Sequence, residues 1–259
     1  VNVTAVPDTA FVYYATPAAT DVITVSGGVS GTAVSATVDA SATSVCSVSV
    51  SSNKVTMTAL KVGICVINIT KSGNDLYSDY TTQVSIEVKK SKQTNLTASA
   101  SPSSLTYSNS PSPTATITAA GGSGTGLVSY ALDSSSIGIC SLNSNVVTVL
   151  AAGDCLVNVT KAGDVNYAEA TASVTIKIAK GSQAALTASP ANSTIVFDPT
   201  NPATTTLATS GGSGTGAVSF AVNPNSSTIC SIDGNKVTAL APGSCSIVAT
   251  KAGDDNFNS

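Results

Sequence analysis

The chain has 259 residues, 42% of them hydrophobic but only 4% aromatic and 10% charged, with a net charge of −3 and neither His nor Trp. All the positive charge is Lys, and its one knot, Lys89, Lys90 and Lys92, reads as a solvated linker. A nucleic-acid face, which clusters Lys and Arg against phosphates, is therefore excluded, and a His-based catalytic triad has no base. Ser and Thr, just under a third of the chain, keep the surface wet. A chain rich in Val, Thr, Ser and Ala and poor in helix formers favours strands.

No apolar run approaches the roughly 20 residues needed to span a bilayer. The sequence begins at Val1 without an initiator Met or a signal-like segment, as expected of a mature, processed or excerpted polypeptide.

In chain order, the same elements recur three times. The glycine cluster Gly27–Gly31 returns as Gly121–Gly126 and again, 90 residues on, as Gly211–Gly216. Cys65, Cys155 and Cys245 keep that period, as do Cys140 and Cys230, whereas the first copy holds four extra residues between Cys46 and Cys65. Each second cysteine leads into a shared ending, Lys71–Tyr77, Lys161–Tyr167 and Lys251–Phe257. Copies are expected at residues 1–90, 91–180 and 181–259, joined by short polar connectors that favour a semi-rigid rod.

Within the second copy, alternation predicts strands at Thr94–Ala100, Leu105–Tyr107, Thr114–Ala119, Leu127–Leu132, Ile137–Leu142, Val146–Leu150, Cys155–Thr160 and Thr171–Ala179. Short strands at spacings near ten residues, with no helix required, describe an all-β sandwich. The third copy stops at Ser259, before any counterpart of Thr82–Val88 or Thr171–Ala179. Either the polypeptide continues, or a strand from another subunit fills the gap.

Two cysteines at matching positions in each copy point to intra-copy disulfides Cys46–Cys65, Cys140–Cys155 and Cys230–Cys245. Two thiolates per copy, without His or CxxC spacing, leave zinc short of ligands. The pairing suits an oxidising, extracellular or cell-surface location. Because paired Cα atoms lie within about 7 Å, each bridge must join neighbouring strands or cross between two sheets.

The glycine turn, the Val-Ser-Tyr or Val-Ser-Phe strand, Cys-Ser, the Val-Thr strand, Gly-x-Cys and Lys-Ala-Gly-Asp resemble, in that order, bacterial Ig-like tandem repeats of large secreted or surface-anchored proteins. The resemblance implies three tandem Ig-like sandwiches acting as stalk, spacer or adhesive module, with no catalytic residue to carry over. Its partners would be other protein subunits or further repeats, without nucleic acid or membrane insertion. Two alternatives stand beside it: a virion or filament component assembling in many copies, and an accessory module of a large secreted enzyme.

Other features carry plainer readings. The glycine clusters are turns needing positive φ rather than phosphate loops. Asn74, Asp75, Asp164, Asn166, Asp254, Asp255 and Asn256 offer oxygens to Ca²⁺, but each loop supplies two or three where six are needed, so Asx turns are expected and no cofactor is assigned. Lys71, Lys161 and Lys251 are read as strand-end lysines rather than isopeptide donors. The aromatics Tyr13, Tyr107 and Phe197, and Tyr77, Tyr167 and Phe257, are expected in the cores. Asn-x-Ser/Thr triplets at Asn2, Asn68, Asn95, Asn158, Asn192 and Asn225 are no more frequent than this composition produces by chance.

Overall fold

Side chains alternating at a period of two build the first sandwich. In the computed structural model, which describes residues 2–9, 11–14 and 17–259, the first copy contains β1 (Val3–Pro7), β2 (Phe11–Tyr13), β3 (Thr20–Gly27), β4 (Val34–Val38), β5 (Cys46–Ser51), β6 (Lys54–Ala59), β7 (Gly63–Lys71) and β8 (Tyr80–Lys89). They form two sheets ordered β1-β3-β6-β5 and β2-β8-β7-β4. All the ladders are antiparallel except that of β2, which runs parallel to β8. Cys65, Ile67 and Ile69 of β7 turn inward with Val84, Ile86 and Val88 of β8, and Val55, Met57 and Ala59 of β6 join the same buried cluster. Each such large aliphatic side chain contributes about 1.5–3 kcal/mol by leaving water.

The second copy repeats this arrangement with β9 (Leu96–Ser101), β10 (Ser104–Thr106), β11 (Thr114–Gly121), β12 (Val128–Leu132), β13 (Cys140–Asn143), β14 (Val146–Val149), β15 (Gly153–Lys161) and β16 (Ala170–Ala179). Its sheets follow the same order, β9-β11-β14-β13 and β10-β16-β15-β12. The described chain packs as two compact units. The first is Val1–Ala98 with Ala119–Tyr130 and Val159–Ser173; the second is Ser99–Thr118 with Ala131–Asn158 and Val174–Ser259.

The strands expected from alternation are present, with one systematic difference. The strand expected from Ile137 begins only at Cys140, because a 3-10 turn at Ser134–Ser136 comes first. Asp133 caps that turn, its side chain accepting from the Ser135 amide at 3.0 Å. Ser136 is fully buried, and its Oγ accepts from the Leu156 amide at 2.7 Å. The third copy repeats the device at Pro224–Ser226, with Asn223 as cap and Ser226 Oγ accepting from the Ser246 amide at 3.1 Å.

The four extra residues of the first copy also have a clear location. The β5–β6 hairpin has six residues per strand, whereas β13 and β14 have four each. An insertion of two per strand preserves which side chains face inward; one or three would turn the hydrophobic set to solvent.

The third copy holds β17 (Leu186–Pro190), β18 (Thr204–Gly211), β19 (Val218–Val222), β20 (Cys230–Asp233), β21 (Lys236–Ala239) and β22 (Ile247–Lys251). One sheet is complete, β17-β18-β21-β20, while the other is the β19-β22 pair alone. Among the described residues no strand corresponds to β8 or β16. Thr194–Phe197, the segment matching β2 and β10, is not a strand either. Its equivalents hold only by pairing in parallel with the closing strand.

All six cysteines are paired as expected, with Cα–Cα distances of 5.7, 6.0 and 5.8 Å. Of the two geometries open to the sequence, the structure has the crossing one. Cys46 on β5 and Cys65 on β7 belong to opposite sheets, as do Cys140 on β13 and Cys155 on β15. Among the described residues no helix is long and apolar enough to cross a membrane.

Candidate functional site at the repeat junctions

The shared ending Lys-x-Gly-Asp/Asn-x-x-Tyr/Phe folds into one loop that recurs in each copy. In the second copy Asp164 Oδ1 accepts from the amides of Asn166 and Tyr167, both at 2.8 Å, closing an Asx turn. Its Oδ2 reaches across to the glycine cluster and accepts from the Thr125 amide at 2.7 Å and the Thr125 hydroxyl at 3.2 Å. Asp254 does the same in the third copy, with Asn256, Phe257 and Thr215. The Thr125 amide, followed by those of Asn166 and Tyr167, holds the Asp164 carboxyl down to about 2. The Asp254 carboxyl is lowered for the same reason, with the Thr215 amide foremost. In the first copy Asn74 makes the turn instead, accepting from the Leu76 and Tyr77 amides at 3.0 and 3.1 Å.

The glycines and the recurring lysine complete the loop's support. Gly122 has φ +72°, and a Cβ there would lie 2.5 Å from Lys161 Cδ. The lysine runs along the turn, its ammonium donating to the Gly121 and Gly122 carbonyls at 3.4 and 3.3 Å. Lys71 and Lys251 bond carbonyls of their own turns, Thr32 at 2.7 Å and Gly216 at 2.9 Å. The recurring lysine thus anchors the glycine turn.

The loop receives the connector from the preceding copy. The Ser91 amide donates to the Asn166 carbonyl at 2.9 Å, and the Ala168 amide returns to the Ser91 carbonyl at 2.8 Å. Gly181 repeats this with Asn256 and Asn258 at 2.8 and 2.9 Å. Two positions further on, Gln93 Nε2 donates to the carbonyls of Lys161, Ala162 and Ala168, while its Oε1 accepts from the Gly124 amide at 3.1 Å. Gln183 bonds the Ala252 carbonyl and the Ser213 and Gly214 amides. Each glutamine thus ties its connector to both the glycine turn and the Asp loop. These two residues were missed in the sequence, although their 90-residue spacing is visible there.

The recurring aromatics correct an expectation. Two pairs meet at the junctions, Tyr14 against Tyr167 at 5.8 Å and Tyr107 against Phe257 at 5.3 Å, both edge-to-face, while Phe197 is half-buried. Phe257 is buried, whereas Tyr77 is half exposed at 52%. The partner of Tyr107 in the repeat is Tyr14, not Tyr13. The Tyr14 amide donates to Lys89 O as the Tyr107 amide donates to Ala179 O, and Tyr13 faces solvent. Edge-to-face pairs of this kind contribute about 0.5–1.5 kcal/mol beyond the area they bury.

The acidic side chains Asp164 and Asp254 of these loops accept hydrogen bonds from the protein itself. Both oxygens of Asp164 and Asp254 are occupied by N–H and O–H groups, and Asn256 Oδ1 accepts from the Ala152 amide at 2.8 Å. Asn166 Oδ1 is buried without a hydrogen-bond partner among the described residues.

No protein-family model matches the chain and no curated protein does. Among solved structures, the extracellular cadherin domains 3–6 of protocadherin gamma B2 align over 97% of this chain and 72% of that one, at 15% identity and a TM-score of 0.32. The C-terminal fragment of intimin, solved with the intimin-binding domain of the translocated intimin receptor, aligns over 74% and 67%, at 20% identity and a TM-score of 0.28. The Yersinia pseudotuberculosis adhesin InvE aligns over 67% and 58%, at 15% identity and a TM-score of 0.30. At these scores the likenesses carry no argument about ancestry or role.

Proposed function

We propose that the chain is a non-catalytic structural or adhesive segment, a stalk or spacer of an extracellular surface protein. The observation that carries this reading is the junction clasp. Equivalent residues, 90 apart, bind the connector twice through the same Asp loop, glycine turn, glutamine and aromatic pair. A chain that uses repeated polar side chains to fix where each connector enters its own copy, with an aromatic pair spanning the joint to the copy before, is suited to transmit position or load. The three fully paired disulfides support an oxidising location, and the partners under this reading are protein: further repeats or other subunits.

Pulling single molecules by their ends tests the load-bearing role. The first two copies should unfold in separate, force-resistant steps. Each step should lengthen under reductant by about 50–70 Å as the residues between the cysteines are released, at roughly 3.3–3.6 Å per residue. Unfolding of both copies in one low-force step contradicts the proposal.

A further inference from the structure

A recess of about 310 Å³ opens at the second junction, where Tyr107 and Asn109 meet the glycine turn and the Asp loop of the third copy. Asn258 and Ser259 border a separate recess beside Lys251 and Gln183, and contribute no wall here. Half-buried Tyr107 and buried Phe257 supply an aromatic side. The polar walls fall into two sets. Asp254 is already engaged by Thr215 and by the amides of Asn256 and Phe257. Four other groups retain capacity. Asn109 Oδ1 accepts from the Tyr107 hydroxyl and Asn256 Oδ1 from the Ala152 amide, so each carboxamide keeps its two N–H donors. Ser213 Oγ accepts from the Ala184 amide at 3.0 Å and keeps its proton. Asp255 is exposed, and its carboxylate belongs to neither ion pair found among the described residues.

We propose that this recess binds one neutral sugar ring. The inference goes beyond the spacer reading and does not depend on it. Sugar hydroxyls both donate and accept, so neighbouring ones match a carboxylate flanked by carboxamide donors. The weakly positive C–H groups of the ring pack on the negative face of an aromatic side chain. The volume lies at the lower end of the range for small-molecule sites, about 300–1,000 Å³, and suits a single ring rather than a peptide segment. Other ligands fit less well. A phosphate or an acidic sugar would meet the Asp255 charge. A Ca²⁺ ion needs six or more oxygens, and both of those on Asp254 are engaged. The set is specific to this junction: at the first, exposed Val165 stands where the third copy has Asp255.

The test titrates the methyl glycosides of glucose, galactose, mannose and N-acetylglucosamine into the whole, isotope-labelled chain. At least one should shift the side-chain NH₂ resonances of Asn109 and Asn256 saturably, with the first copy unmoved. Asp255→Val installs the residue that the first junction already tolerates, and Asn109→Ala alters an exposed side chain. Each should weaken that glycoside at least tenfold while the remaining amide spectrum stays unchanged. Three results overturn the proposal. One is no shift at these resonances up to about 100 mM, where even a Kd of about 10 mM nears saturation. Another is undiminished binding by Asp255→Val. The third is a response to calcium chloride without any to the glycosides, which would make the recess a metal site.

Discussion

Mild reductant should open the three disulfides in a defined order. The paired cysteines are 19, 15 and 15 residues apart, so loop closure gives each bridge about 3 kcal/mol and does not rank them. Access does, because exchange requires a thiolate to reach a sulfur. Cys46, Cys65, Cys140 and Cys155 are all 0–2% exposed, whereas Cys245 is exposed. Reaching a buried sulfur in the first two copies means lifting the closing strand. Exposing even one residue such as Ile86 or Ile176, both fully buried, costs about 1.5–3 kcal/mol. That lowers the accessible fraction about ten- to a hundredfold. Under native conditions, timed alkylation with mass spectrometry should therefore show Cys230–Cys245 opening at least tenfold ahead of the others. Rates within about twofold of one another, or Cys140–Cys155 opening first, would refute the reasoning.

Other perturbations report on other parts of the account. Replacing Cys140 and Cys155 together by Ala should destabilise the second copy by about 3 kcal/mol in urea unfolding. Gly122→Ala meets both a positive φ and the Lys161 side chain, and should cost clearly more than the roughly 1–2 kcal/mol of backbone strain alone. Gly138→Ala is its control: φ is +87° but no atom lies within 4 Å of the new Cβ. The Asp164 carboxyl, held at about 2 against an ordinary 3.8, stabilises the folded state fully above the ordinary value. That contribution fades as pH falls through about 2. The Thr125 amide resonance should shift with a midpoint near 2, and Asp164→Asn should abolish the transition.

What was legible in the sequence was whatever obeys local periodicity. Alternation located the strands of the second copy to within about two residues, apart from the start at Cys140, and the 90-residue period revealed the three copies. Alternation reports which face of a sheet a residue occupies but not which end of the sandwich. The aromatics, at fixed register amid apolar neighbours, therefore read as core although Tyr107 and Tyr167 pair across junctions and Tyr77 is exposed. Assigning Tyr13 in place of Tyr14 was a one-residue slip, enough to move a side chain from a partner to solvent. The bridge geometry remained a choice of two because Cα reach alone does not separate neighbouring strands from facing sheets. The buried serines of the 3-10 turns gave no signal, since Ser is too common in this chain for two recurrences to stand out.

The claim that the connectors are clasped is tested most directly by amide hydrogen exchange at Ser91 and Gly181. Each amide stands at the start of its copy, where the connector enters, and donates to a carbonyl of that copy's loop, Asn166 or Asn256. They should exchange at rates comparable to strand amides such as that of Ile67, far below free-chain values. Exchange of Ser91 and Gly181 at the free-chain rate, with the strands still protected, would contradict the account.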